Sequence, residues 1–162
     1  MLAPVAASAY EIVLAVHIMA VVVAFGVTFA YPIMFAVTAR HGARSLPLVH
    51  RIEYTIERLL INPGLLLVLA AGIFLASDGH QWSEFFVQWG LAAVIVIGAV
   101  LGAVMIPTAK RAEQIAERDI AAAPGDPEMS AEYQALARRL ATVGSLLSLL
   151  VLITILFMAT KP

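Results

Sequence analysis

The chain contains no cysteine, and this absence excludes several kinds of chemistry. Without a thiol there is no disulfide bond, no thiolate zinc site, no c-type haem attachment and no thiol redox centre. Charged residues are also scarce, at 13% of the 162 residues against about 25% in ordinary soluble domains. Hydrophobic residues make up 62% of the chain, which indicates a lipid rather than an aqueous environment for most of it.

Four long stretches lack Asp, Glu, Lys and Arg entirely: residues 12–37, 59–76, 85–109 and 140–159. Each one approaches or exceeds the ~18 to 20 residues that a helix needs to cross a hydrocarbon core of ~30 Å. The first ten residues lack the basic segment of a signal peptide, so we expect the first stretch to be retained as a span. The stretches and their loops use nearly the whole chain, which predicts a single four-span membrane domain over residues 1–162.

The connection between the third and fourth stretches carries helical signals of its own. Residues 109–123 continue the third stretch without a breaker, and residues 124–128 (PGDPE) then stop that helix. Asp126 suits an N-cap and Pro127 suits the first helical position, so we predict a helix from 127 to about 160. The expected fold is all-α: an antiparallel up-down four-helix transmembrane bundle with a cytoplasmic helical hairpin that extends spans three and four. That hairpin is either simply solvated or a docking surface for a cytoplasmic partner.

Basic residues are distributed very unevenly among the loops. Nine of the ten Lys and Arg lie between spans one and two or between spans three and four: Arg40, Arg44, Arg51, Arg58, Lys110, Arg111, Arg118, Arg138 and Arg139. The loop at residues 77–84 has none. Because short loops rich in Lys and Arg stay in the cytoplasm, we predict that both termini and this loop face outward.

Small residues and prolines indicate where the helices pack and where they deviate from regular geometry. Gly98 and Gly102 form a small-xxx-small element in span three, which lets another helix approach closely. That helix belongs either to the same chain or to a neighbouring subunit, so a homo-oligomer or a larger membrane complex is one interpretation. Pro32, Pro63 and Pro107 interrupt spans one to three, because proline lacks a donor and clashes with the preceding turn.

His17 is the only ionisable residue within the four stretches. Helical periodicity predicts that it faces the interior of the bundle, on the same side as Ala20 and Ala24. An imidazole in lipid costs free energy unless a partner satisfies it, so an intramembrane histidine is a candidate functional residue. Three interpretations remain open: a structural hydrogen bond to an adjacent span, with Thr154 at similar depth; a haem or metal ligand; and a proton-handling group.

A ligand role for His17 calls for further donor groups. A six-coordinate b-type haem takes two axial ligands, and no second histidine lies within a span. On the predicted outer side, His80 could complete a metal site with His17 and one of the nearby acids, Glu11, Asp78 or Glu84. We therefore take His17 as the candidate cofactor-binding residue and His17 with His80 as the candidate metal ligands.

The order of several short motifs resembles a known family. These are residues 14–20 (LAVHIMA) with Gly26, residues 63–73 (PGLLLVLAAGI), Trp82 and Trp89, residues 126–128 (DPE) and the closing Lys-Pro pair. Together they resemble the small bacterial integral membrane proteins grouped as domain of unknown function 2269. This resemblance implies a four-span protein of the bacterial plasma membrane and no particular activity.

A more distant resemblance rests on three residues only. Leu14-x-x-His17 followed by Gly26 is similar to the haem-dependent protoporphyrinogen oxidases and the copper-resistance protein D-like membrane domains. It implies a haem b at His17.

The functional prediction is a multi-pass integral membrane protein of undetermined activity, most simply a non-enzymatic membrane module or accessory subunit of a membrane complex. The alternative is a membrane redox protein that binds a b-type haem or a metal through His17. Nucleic-acid binding is not supported, because acidic residues balance the basic ones.

Overall fold

The computed structural model describes residues 7–123, 125 and 127–162, and every regular element in these ranges is helical. The α-helices are α1 (Ala9–Gly26), α2 (Tyr31–Arg40), α3 (Leu46–Ile56), α4 (Asn62–Asp78), α5 (Phe85–Val100), α6 (Ile106–Ala122) and α7 (Ala131–Thr160). They join into four long helices that are long and apolar enough to cross a membrane: Ala9–Thr38, Ala43–Asp78, Phe85–Ala122 and Ala131–Thr160. The prediction of an all-helical chain with four such helices is confirmed.

The three prolines mark irregular turns inside the first three long helices. A 3₁₀ turn at Val27–Ala30 precedes α2, and π-helical turns at Glu57–Ile61 and Leu101–Met105 precede α4 and α6. Each of these three α-helices has its proline in the first two positions. Because proline cannot donate a backbone hydrogen bond, the turn before it adopts a different hydrogen-bonding pattern.

The predicted start of the last helix at Pro127 is wrong. Helix α7 begins at Ala131, and Ser130 is its N-cap, with the Ser130 hydroxyl accepting from the Tyr133 N–H at 3.3 Å. The Ser130 N–H donates to the Asp119 carboxylate at 2.9 Å. In a capping box the acceptor would be an acid in the first turn of α7 itself, whereas here it is an acid of α6. Asp126, the predicted N-cap, lies outside the described residues.

Small residues let the first and second long helices approach closely. A Cβ atom at Gly64 would lie 2.6 Å from Ala24 Cβ, so no larger residue fits there without a shift of the helices. Gly98 lies next to Leu65 of α4, since a Cβ at position 98 would be 3.0 Å from Leu65 Cδ2. A Cβ at Gly102 would meet nothing within 4 Å among the described residues, so Gly102 makes no comparable close contact there.

Two cavities lie among the four long helices, and residues of all four line each of them. The one near Trp82 we call the tryptophan-end cavity, with a volume of about 420 Å³. The one near the basic loops we call the basic-end cavity, with a volume of about 630 Å³. The buried side chains of Phe25, Ile97 and Val151 line both cavities and separate them.

Candidate functional site

His17 lies on α1 with its ring against α4. A Cβ atom at Gly72 would be only 3.4 Å from His17 Cε1, so the glycine makes room for the imidazole. The ring also interacts with the backbone carbonyl of Val68 on α4. Nδ1 of His17 is buried and has no hydrogen-bond partner among the described residues. His17 is also part of the lining of the tryptophan-end cavity.

The tryptophan-end cavity around His17 is almost entirely apolar. Its walls include Phe25, Trp82 and Phe86 together with aliphatic residues of all four long helices. Thr154 also lines it, but the Thr154 hydroxyl accepts from Trp89 Nε1 at 3.1 Å and donates to the Leu150 carbonyl at 2.8 Å. Thr154 thus stabilises the α5–α7 contact rather than the imidazole.

The structure places His80 away from the lining of this cavity. His80 is exposed in the loop after α4, where its Nδ1 lies 3.1 Å from the Asp78 carbonyl. Its backbone φ of 53° is left-handed, which bends the chain toward α5. Among the residues that the structure describes, no three His, Asp or Glu side chains are close enough together to hold a metal ion.

A second polar site, which was not predicted from the sequence, lies at the other end of the helices. His50 and Glu53 on α3 and Glu57 in the following π-turn are 1%, 2% and 1% exposed. His50 Nδ1 lies 3.4 Å from Glu53 Oε2, and His50 Nε2 lies 3.0 Å from the Tyr133 hydroxyl on α7. The Phe35 ring covers the imidazole at a centroid distance of 5.3 Å. We call His50, Glu53 and Tyr133 the His50 cluster.

The basic-end cavity adjoins this cluster. Glu53 and Glu57 line it, together with Tyr31 from the first long helix and apolar residues of α5 and α7. Two polar atoms, Glu57 Oε2 and the Tyr31 hydroxyl, are buried there without a hydrogen-bond partner among the described residues. No Lys or Arg is part of the lining.

The sequence carried a signal for this site. Residues at spacing i, i+3 and i+7 share one helical face, and His50, Glu53 and Glu57 have that spacing. Arg51, in contrast, lies on the exposed side of α3 and pairs with Glu113 at 3.0 Å and Glu117 at 3.4 Å. The four arginines between residues 40 and 58 made this segment resemble a solvated loop, although one of its faces is buried.

Helices α6 and α7 are joined by ion pairs near their connection. Arg111 and Arg118 both contact Glu132, at 2.8 and 3.2 Å, and Arg118 also contacts Asp119 at 2.9 Å. Hydrogen bonds from Ser130 lower the pKa of Asp119, and those from Arg111 and Arg118 lower the pKa of Glu132. Glu113 and Glu117, which also lie on α6, contact Arg51 of α3.

Four long apolar helices of this kind define a multi-pass integral membrane protein. Residues 11–162 match the family model described as "Predicted integral membrane protein (DUF2269)", and the chain belongs to this family. The resemblance noted in the sequence is thereby confirmed. Neither the curated proteins nor the solved structures contain a match to this chain.

Proposed function

We propose that this chain is a non-enzymatic binding module that serves as an accessory subunit of a membrane complex. Its binding site is the tryptophan-end cavity, and His17 is the polar group that fixes the ligand. The free and buried Nδ1 of His17 is the observation that supports this proposal. Ligand sites are typically apolar concavities with a few well-placed polar groups, and this cavity has that character.

The test of this function is purification from native membranes in mild detergent. We expect wild-type protein to retain a small molecule or a stoichiometric partner that mass spectrometry identifies. His17→Ala should lose the small molecule. The matched control is His41→Ala, because His41 is exposed and bonds only the Val37 carbonyl of its own helix. A monomer that carries neither molecule nor partner would contradict the proposal.

Contact with a neighbouring subunit would use the exposed side of span three. The surface at Gly102 is open, and Ala99 and Ala103 beside it are exposed. We expect Gly102→Leu to weaken assembly in detergent while the thermal stability of the chain itself stays unchanged. Gly98→Leu should lower stability instead, because Gly98 already lies next to Leu65. Unchanged assembly in Gly102→Leu would contradict this role for the glycine.

A b-type haem or a metal ion at His17 is the second candidate function. An imidazole nitrogen in an apolar cavity is a suitable axial ligand for haem iron. The chain offers one such nitrogen there, so a second axial ligand would come from His80 after a movement of its loop, or from another copy of His17. Absorption spectroscopy of protein expressed with haem precursor tests this: a Soret band that His17→Ala abolishes is expected, and its absence in wild type contradicts it.

We further propose that the single domain is an up-down bundle in the bacterial plasma membrane, with both termini outside. The proximity of Ala24 to Gly64 and of His17 to Gly72 supports antiparallel first and second helices. The nine basic residues support a cytoplasmic basic end. Single cysteines at the exposed positions Ser83 and Glu128 test the orientation. An impermeant maleimide added to intact cells should label position 83 and not 128, and the reverse pattern would contradict the orientation.

A further inference from the structure

We propose that the basic-end cavity binds an organic cation with an apolar body, and that the Glu57 carboxylate is its counter-charge. This site is separate from the cavity at His17 and does not depend on the function proposed for that cavity.

Glu57 has a second buried acid, Glu53, as its neighbour. Glu53 and Glu57 are both almost fully buried, and a buried carboxylate without a partner is costly. The basic side chains of α3 and α6 near this region are engaged elsewhere. Arg51 pairs with Glu113 and Glu117, and Lys110 lies 4.6 Å from the centre of the Tyr54 ring. The cavity therefore has acidic groups and no cation from its own lining.

The two acids differ in how they are satisfied. Glu53 belongs to the His50 cluster, in which the imidazole bridges its carboxylate and the Tyr133 hydroxyl. Glu57 has no such neighbour, and its Oε2 is buried without a hydrogen-bond partner in the described ranges. The Tyr31 hydroxyl, on the same cavity, is likewise unpartnered. A ligand that supplies positive charge would pair with the Glu57 carboxylate. The Tyr31 oxygen could accept a hydrogen bond from a donor group of that ligand.

The walls of the cavity indicate the class of cation. Four aromatic rings line it, those of Phe25, Phe29, Tyr31 and Phe35, and most other lining residues are aliphatic. Aromatic faces attract organic cations, whereas a hard metal ion requires six or more oxygen ligands that this cavity does not offer among the described residues. A volume of about 630 Å³ accommodates a drug-sized molecule.

The cavity also has access from the lipid. Phe29, Leu149 and Leu152 line it and are 41%, 53% and 51% exposed on the outer surface of the helices. Phe29 belongs to the first long helix, and Leu149 and Leu152 belong to the fourth. A cation with a large apolar body partitions into a membrane, so it would reach Glu57 through this lateral opening.

Equilibrium dialysis with purified protein in detergent tests the proposal, with tetraphenylphosphonium as the cationic probe and triphenylphosphine oxide as a neutral one. Wild type should bind the cation saturably and about tenfold more tightly than the neutral probe, the ratio expected from a partly desolvated charge and aromatic contacts. Glu57→Gln should remove this preference. Glu117→Gln is the matched control, because Glu117 is an exposed acid on α6 and should leave the preference unchanged.

A second variant tests the proposal independently in case Glu57→Gln fails to fold. Ser148→Leu fills part of the cavity without changing any charge, since Ser148 is half-buried in the lining. It should weaken binding of both probes several-fold. The proposal is overturned if wild type shows no saturable cation binding or no preference for the cation, as expected for a Glu57 that is simply protonated. Full cation preference in folded Glu57→Gln, or unaltered binding in Ser148→Leu, would overturn it equally.

Discussion

His17, which is half-buried, and His50, which is buried, lie in contrasting environments at opposite ends of the helices. His17, in the tryptophan-end cavity, has a nitrogen without a partner, although its ring packs against Gly72. His50, at the basic end, uses both ring nitrogens, one toward Glu53 and one toward Tyr133. The histidine inside an apolar stretch thus keeps one nitrogen unsatisfied among the described residues, whereas the one in a charged connection joins α3 to α7.

The two cavities differ in charge as well as in their histidines. The lining of the tryptophan-end cavity contains no acid, and its basic residues are His17 and Lys161. The lining of the basic-end cavity contains Glu53 and Glu57 and no basic residue. The first is thus suited to a ligand that an imidazole nitrogen can bind or coordinate, and the second to a cation. Phe25, Ile97 and Val151 form an apolar partition between them.

Replacing each histidine by alanine should give the largest difference in stability between the two ends. His50→Ala removes the partner of Glu53 and of Tyr133 and leaves a buried carboxyl group unsatisfied. We expect a loss of ~3 to 5 kcal/mol in stability. His17→Ala should cost less than ~1 kcal/mol, because Nδ1 makes no hydrogen bond and the ring borders an existing cavity.

Reversible unfolding in mixed micelles measures both histidine variants under identical conditions. His41→Ala serves as the exposed control and should match wild type. Equal losses for His17→Ala and His50→Ala would show that the two environments do not differ as the hydrogen bonds indicate.

The difference in stability between variants of the two tyrosines of the basic end, Tyr133 and Tyr31, should be smaller. Tyr133→Phe removes the hydroxyl that bonds His50 Nε2, so a buried ring nitrogen loses its partner, at a cost of ~1 to 3 kcal/mol. Tyr31→Phe removes a hydroxyl that has no partner in the described structure, so stability should stay equal or rise slightly. The same unfolding measurement decides this. A larger loss for Tyr31→Phe would mean that its hydroxyl is satisfied after all.

Much of the fold is predictable from the sequence because the membrane imposes strict requirements. Uncharged stretches of sufficient length predicted the four long helices, and the prolines predicted their irregular turns. The start of α7 was not predictable from local signals. Pro127 suits a first helical position, but the Ser130 N–H bonds to Asp119 on another helix, and such a tertiary contact leaves no local pattern.

The two candidate sites also differ in how well the sequence predicts them. His17 stands out in the sequence because it is the single ionisable residue among apolar ones. The His50 cluster is hidden among arginines, and only its spacing of three and then four residues to Glu53 and Glu57 indicates a shared face. The contribution of Tyr133 comes from 83 residues away along the chain, and no spacing rule connects it to His50.

The smallest expected effect is a difference in acid sensitivity between two helix N-termini. At the start of α1, the Ser8 N–H donates to the Glu11 carboxylate at 2.8 Å, and this bond lowers the pKa of Glu11. At the start of α7, hydrogen bonds from Ser130 lower the pKa of Asp119, which lies on α6. Because both pKa values are depressed in the folded state, both contributions are present above the ordinary values of 4.5 and 3.8 and are lost as pH falls through the folded-state pKa.

Loss of the Asp119 contact should affect more of the structure, because it joins two helices, whereas the Glu11 contact lies within one turn. Hydrogen–deuterium exchange between pH ~5 and ~2.5, corrected for intrinsic rates, measures both. Protection should fall at residues 130–134 and in the adjoining end of α6 in acid, and only at residues 8–12 for α1. In Asp119→Asn, protection at residues 130–134 should no longer depend on pH. In Glu11→Gln, the same should hold for residues 8–12. If Asp119→Asn retains the wild-type acid response at residues 130–134, another group, first of all Glu132 with its contacts to Arg111 and Arg118, carries that response.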